Sequence, residues 1–275
     1  MPLAFSEVVD HSLFPTGPFR WRIGTRVLPR DRWLQPDDAR TADLAEKAAL
    51  IAARPEEMTA WMAGSAAAGA EVLALVESAL SDRGLSPAPD GDHPIDRAGR
   101  SVQEDLCLLE RQGSDWILTA GSVCFPTRWT LRTKLGTSLS AIHAPVPRYA
   151  EEIGARVDRF FDRMAAGSLV WRPNWSIVGD PSRRLDPGDA GTVVAPTDPG
   201  RELFMRVERQ SLRRLVDHDA IVFAIRIHVW PLRDVVDHLP RSALATALET
   251  MPIDVAEYKS LDVVRAALVR WLRLL

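Results

Sequence analysis

Residues 122–149 read SVCFPTRWTLRTKLGTSLSAIHAPVPRY, and their punctuation governs the reading of the chain on either side. The stretch opens as the end of an apolar strand that stops at Pro126. It turns through Trp129 and continues as a short helix running into Ile142 and His143. Pro145-Val146-Pro147 then stops that helix, because each proline ring removes an N–H and biases its predecessor away from helix. His143 therefore stands at a rigid corner, near the end of one helix and just before the next. A side chain that must point at something fixed is well served there. Taken alone, a single His at such a corner is more often structural than a ligand.

Upstream, residues 106–111 and 116–125 read as strands joined by the hairpin-like turn Gln112-Gly113-Ser114. Before them, residues 84–99 (GLSPAPDGDHPIDRAG) shift to Pro, Gly, Asp and Ser, a loop that separates a helical N-terminal part from a β-rich core. His93, flanked by Asp92 and Asp96, reads as a solvated turn residue with no role. Thr41 opens a helix as N-cap, with Leu44, Lys47, Ala48 and Ile51 following. Pro55-Glu56-Glu57 starts a second helix whose far end carries Val72, Leu75, Val76, Ala79 and Leu80 on one face. Residues 1–35 are Pro- and Arg-rich, and Phe19 to Gly24 alternate like a short strand.

Downstream, Ile153, Val157, Phe160, Phe161 and Met164 mark an amphipathic helix of about three turns. Residues 168–178 form a strand holding Trp171-Arg172-Pro173-Asn174-Trp175. Residues 179–200 are a second Pro/Gly/Asp-rich loop with Arg183-Arg184, a lid or a surface excursion by length. Residues 203–208 and 220–230 close the core as strands joined by RQSLRRL. In the last strand Ile221, Phe223, Ile225 and Ile227 face one way; Val222, Ala224, Arg226 and His228 face the other. That second face turns from apolar to cationic along its length. Leu261, Val264, Leu268, Trp271 and Leu275 give a C-terminal helix with Arg265, Arg270 and Arg273 on its polar side. Helices first, then about five strands with one helical crossing, predict an α+β fold. The expected divisions are 1–99 (arm and helices), 100–238 (core) and 239–275 (helical).

Composition narrows the function classes. The chain has 275 residues, 46% hydrophobic and 26% charged, ordinary for a globular protein able to bury a sizeable core. A net charge of −3 gives no sign of a nucleic-acid surface. No window reaches the ~18–20 uncharged apolar residues of a membrane span. MPLAFSEVVDHSLF lacks the basic start and apolar run of a secretory leader, so a soluble, cytoplasmic chain with no membrane partner is expected. Cys107 and Cys124 make neither a disulfide framework nor a zinc site, and two cysteines cannot hold a four-Cys iron–sulfur cluster. No GxGxxG follows a strand. Nine tryptophans stand against two tyrosines; such flat surfaces suit walls around an aromatic cofactor and equally a plain core.

The ordered segments CFPTRW, then Lys134, Gly136 and IHAPVPRY, then WRPNW, then LFMRVERQSLRRL, resemble the α-subunit family of haem-dependent oxidative N-demethylases. The resemblance runs over roughly residues 19–230. It implies a PAS-like antiparallel sheet core, with the N-terminal arm against it and His143 at the position of the axial ligand of a haem b iron. It also implies oxidative demethylation of a small secondary amine such as dimethylamine, using O2 and giving formaldehyde and the primary amine. With no reductase segment in sight, electrons are expected from a separate NAD(P)H-dependent reductase carrying flavin or an iron–sulfur centre.

Several residues are candidates within that frame. An axial His needs its other N–H held by an acceptor, and free carbonyls at a helix C-terminus can supply one. Cys124 is the rival ligand, with a buried strand thiol as its plain reading. Lys134, Arg128, Arg132 and Arg148 are either partners for haem propionates or solvated charges. Trp129, Arg172 and Trp175 are candidates for the cofactor wall, with a structural Trp and a partnered Arg as alternatives. Glu208 is a candidate to hold the amine's ammonium or relay protons, or else it pairs with Arg206, Arg209 or Arg226 and pins the sheet. Arg226 is a candidate distal group that polarises oxygen or positions Glu208. No motif assigns a role to His218, His228 or His238. A non-catalytic haem- or gas-binding sensor or carrier is the second reading, and a cofactor-free structural subunit the third. The lack of an attached kinase, cyclase or DNA-binding segment weighs against a sensor.

Overall fold

Runs rich in β-branched and apolar residues pair into the centre of one antiparallel sheet, as their propensity favours. The structure, a computed structural model, describes Val8, residues 17–189 and residues 194–274. The rest of the opening stretch read for a leader lies outside the described residues, as does Leu275. The strands are β1 (Arg26–Val27), β2 (Thr59–Trp61), β3 (Asp105–Gln112), β4 (Asp115–Ser122), β5 (Leu169–Val178), β6 (Phe204–Arg214) and β7 (Ala220–Pro231). Their order is β1-β5-β6-β7-β3-β4-β2, and every pairing is antiparallel. With helices before, between and after these strands, the fold is α+β and consistent with a PAS-like core. No helix among the described residues is long and apolar enough to cross a membrane.

Alternation of side chains across the pleat divides the molecule. On one face Leu106, Leu108, Val222 and Ala224 pack under the helices Ala66–Ser81 and Pro94–Ser101. Further along that face Ile177, Met205 and Val207 meet Arg241–Thr250, Ile253–Tyr258 and Arg265–Leu274. Each such fully buried aliphatic side chain is worth roughly 1.5–3 kcal/mol relative to exposure. The opposite face carries Leu109, Leu212 and Ile221 against Leu139 and Phe161. It is only partly filled, and the space left over is the cavity described below.

The structure corrects several sequence expectations. The helix after Pro55 lasts one turn, Pro55–Met58, and gives way to β2, which pairs with β4. The helix assigned to Thr41 begins at Arg40, and its entry is tied by Asp37 accepting from Ala39 N at 3.0 Å. Residues 84–99 are not wholly loop: Pro94–Ser101 is a helix, and His93 is buried as its N-cap, Nδ1 accepting from Ile95 N at 3.2 Å. A buried capping role replaces the solvated turn. RQSLRRL is not simply a connector: its first six residues are the second half of β6, paired with β5 and β7. The strand expected at 19–24 is found instead at Arg26–Val27.

β4 leaves the sheet at Ser122, earlier than expected, because a carboxylate takes over from the ladder. Cys124 N and Phe125 N donate to the two Asp105 oxygens at 2.9 and 2.8 Å. Asp105 is 1% exposed, and the buried Lys47 Nζ lies 3.7 Å from its Oδ1. Burial pushes the Asp105 carboxyl up, opposed by the Lys47 charge and the two N–H donors. Asp105→Ala strands a buried cation and two backbone donors, so stability should fall by about 3–5 kcal/mol. The denaturant midpoint at unchanged slope measures this, and a loss below ~1 kcal/mol would show that the carboxylate does not hold the corner.

Candidate functional site

The corner read from the sequence forms one wall of a cavity of about 610 Å³. Ser138 caps the short helix Leu139–His143, its Oγ accepting from Ala141 N at 3.3 Å. One turn later His143 Nδ1 lies 2.8 Å from Leu139 O. A carbonyl can only accept, so Nδ1 carries the proton and Nε2 keeps its lone pair. Nε2 makes no hydrogen bond among the described residues. Burial pushes the His143 pKa down, as do the charges of Lys134 and Arg172, against the pull of the Leu139 bond. The ring is therefore a neutral imidazole, stacked on Tyr149 at 4.5 Å and 7°. Arg148, in the left-handed region at φ 61°, makes the turn that sets Tyr149 there.

The sheet supplies a polar wall. Arg172 and Asn174 on β5 stand opposite Gln210 and Glu208 on β6 in register, all four on the cavity. Glu208 Oε1 accepts from Thr127 Oγ1 at 2.6 Å, and Oε2 from Gln210 Nε2 at 2.8 Å and Asn174 Nδ2 at 3.3 Å. Gln210 Oε1 in turn accepts from Arg172 Nη1 at 3.0 Å. Glu208 makes none of the arginine ion pairs weighed from the sequence. The N-terminal arm closes one side: Trp21 Nε1 donates to Pro147 O at 2.9 Å, and Arg22 O accepts from Arg172 Nη2 at 3.3 Å. Apolar side chains of the sheet, including Leu109, Phe223 and Ile225, complete the lining.

Charge on this lining is lopsided. Arg22, Arg128, Lys134, Arg172 and Lys259 border the cavity, and Glu208 is the one carboxylate among the described lining residues. Arg128 Nε and Arg172 Nε are buried with no hydrogen-bond partner. Burial pushes the Arg172 pKa down, against the opposing pull of the Glu208 charge, and a bound anion would relieve this. Haem is flat, largely apolar and carries two carboxylates. A cavity in the usual 300–1,000 Å³ range, with apolar walls, surplus guanidinium donors and one free imidazole nitrogen, fits it. No group of three or more His, Cys, Asp or Glu that could hold a bare metal ion exists among the described residues.

The other sequence candidates fall on both sides of the sheet. Trp129 and Lys134 line the cavity, with Nζ 5.8 Å from the indole centroid and donating to Ile142 O. Trp175 points the other way, into the core under the C-terminal helices, because it alternates with Asn174 and Ser176. Arg226 is likewise not brought to the site. It is buried on the far face, ion-paired with Asp43 at 2.8 Å and Asp37 at 3.3 Å. That face, singled out for its cations, is the one covered by helices. Cys124 is buried outside the lining, while Cys107 borders the cavity; burial pushes both thiols up to about 12. Arg132 is exposed in an ion pair with Glu56, and Arg148 pairs with Asp254 at 2.9 Å, so neither faces the cavity.

Sequence reasoning passed over Thr127, Tyr149, Asn174, Gln210 and Lys259. Asn174 and Gln210 had a signal, since each lies two residues from a singled-out residue and so shares its face. Lys259 had none.

These observations converge with the comparison to known families. The family model described as haem-dependent oxidative N-demethylase, alpha subunit-like, matches residues 82–269. The match starts after the arm that the sequence resemblance had included, and it runs past Trp230 into the last helix. Covering well over half of the sequence and every strand from β3 to β7, it shows that the chain belongs to the haem-dependent oxidative N-demethylase, alpha subunit-like family.

Proposed function

We propose that this chain binds haem b through His143 Nε2 and oxidatively demethylates a small secondary amine such as dimethylamine. The observation that carries this reading is the neutral His143 imidazole, clamped by Leu139 O and Tyr149 with Nε2 unpartnered on the cavity wall. Bound haem supplies the one-electron and dioxygen chemistry. O2, two electrons and two protons convert the N-methyl group to a carbinolamine and water; C–N cleavage then gives formaldehyde and the primary amine. Arg172 and Lys134, with Arg128 beside them, hold the propionates. Trp129 contributes a flat wall.

Glu208 binds and orients the amine in this reading. Three donors occupy three of the roughly four acceptor positions of its carboxylate. The fourth is available to an ammonium N–H, and the carboxylate can take the carbinolamine O–H proton as the C–N bond breaks, the nitrogen keeping its protons as it leaves as the primary amine. Trp175 serves from behind the wall, its carbonyl anchoring Lys259.

Turnover is expected only with a separate reductase carrying flavin or an iron–sulfur centre and drawing on NAD(P)H. Formaldehyde release from dimethylamine by the haem-loaded chain, with and without such a reductase, tests this. NADPH consumption by the flavin-free chain alone would overturn the division of labour. Stoichiometric haem with no formaldehyde from any small methylamine would instead favour a gas sensor or haem carrier.

A further inference from the structure

Of the 34 basic residues only three are lysines: Lys47, Lys134 and Lys259. Lys47 is buried and engaged with Asp105, Val102 O and Glu104 O. Lys134 is bound to Ile142 O beside the corner. Lys259 follows the helix Ile253–Tyr258 and borders the same cavity from the C-terminal side. Its Nζ donates to Trp175 O at 2.9 Å, and the Trp21 and Trp175 rings lie 5.6 and 5.4 Å away. No carboxylate among the described residues comes within ion-pair distance of it. An amine held in one place, on a cavity wall, without a counter-ion, is the setting in which lysines act as nucleophiles toward carbonyls.

We propose that Lys259 is a covalent capture site for a small aldehyde, formaldehyde being the one the cavity would itself generate. Only the origin of the aldehyde rests on the demethylase reading; the site stands on the Lys259 geometry. Burial and the nearby Arg172 charge bring the Lys259 pKa down to about 8, against the opposing pull of Glu208. Near neutral pH about a tenth is therefore free amine, whereas an ordinary lysine at ~10.4 is almost wholly protonated. The Trp175 carbonyl retains one N–H of that amine, and the lone pair points away from this contact.

The step balances without an oxidant. The Nζ lone pair forms a bond to the carbonyl carbon, the C=O π pair moves to oxygen, and the proton lost from nitrogen ends on that oxygen. The resulting N–CH2–OH takes a proton from solvent and loses water, leaving a methylene iminium on Nζ. Hydrolysis reverses both steps, so capture lasts only while aldehyde is present in the cavity.

The test supplies the aldehyde directly. The full chain is treated with formaldehyde and cyanoborohydride, which fixes each capture as an N-methyl group, and peptide mass spectrometry locates the methylated lysines. Lys259 should be labelled about tenfold or more faster than a lysine in an unstructured peptide at neutral pH, with the rate rising as pH approaches 8. Lys47 should stay unlabelled in the folded chain. Lys259→Arg, which keeps the charge and removes the amine, should delete this label and leave the rest of the pattern. Labelling of Lys259 at or below the peptide's rate overturns the proposal, and the unmodified chain alone is enough to show it. Because formaldehyde is added, a chain that never demethylated an amine would label identically, so failure here and failure of the demethylase reading are separate results.

Discussion

His143→Ala is expected to abolish stoichiometric haem retention while leaving the fold largely intact. The imidazole contributes one hydrogen bond to Leu139 O and one ring stack on Tyr149. Such contacts are worth about 0.5–1.5 kcal/mol each, too little to unfold a chain with a core this extensive. The same ring is the one imidazole among the described lining residues, so its removal takes away the proposed haem ligand altogether. The Soret absorbance per chain after growth with ample haem, beside a far-ultraviolet circular dichroism spectrum, gives both halves of the result. Cys124→Ser should leave the haem spectrum nearly unchanged, because that thiol lies outside the lining and burial keeps it protonated. Normal haem occupancy in His143→Ala would sink the assignment, and a thiolate-type band in the CO-bound ferrous protein would redirect it to Cys107, the cysteine that does reach the cavity.

Glu208→Gln should retain haem and fold and lose roughly 10²-fold or more of amine turnover, the scale of a general acid–base group. The geometry accommodates the amide. Its carbonyl can accept from Gln210 and Asn174, while its NH2 donates to Thr127 Oγ1, which already accepts from Arg206 Nε at 3.1 Å. The charge that would hold an ammonium, and the basic oxygen that would take the carbinolamine O–H proton, are removed. A carboxylate that merely pinned the sheet would behave otherwise: the melting temperature would drop and the rate per haem would be spared. Turnover normalised to haem, measured beside a thermal melt, separates the two. An unchanged normalised rate would remove Glu208 from the chemistry and leave it a member of a structural hydrogen-bond chain.

How much of this was legible beforehand follows from the range of the forces involved. Local sequence alone determined the corner: proline stereochemistry ends the helix at His143, and a carbonyl four residues back, at Leu139, is the acceptor an orienting hydrogen bond needs. The α+β order and the five long strands were legible for the same reason, since period-2 patterning and turn residues act over a few positions. Edge strands β1 and β2, two and three residues long, carry too little pattern to register; they exist because a neighbouring strand offers unpaired backbone groups. The face of β7 was the decisive ambiguity. Alternation placed Arg226 and Phe223 on opposite sides but could not say which side is open. Packing of the N-terminal helices chose, bringing Asp37 and Asp43 to Arg226 and leaving Phe223 and Ile225 to the cavity. Lys259 shows the limit most plainly. It lies 84 positions from the Trp175 carbonyl it binds, and only the docking of the C-terminal helices on the sheet brings that amine to the same space as His143 and Glu208. Burial and charge at a site are sums over residues distant in sequence, so they come into being with the tertiary structure and not before it.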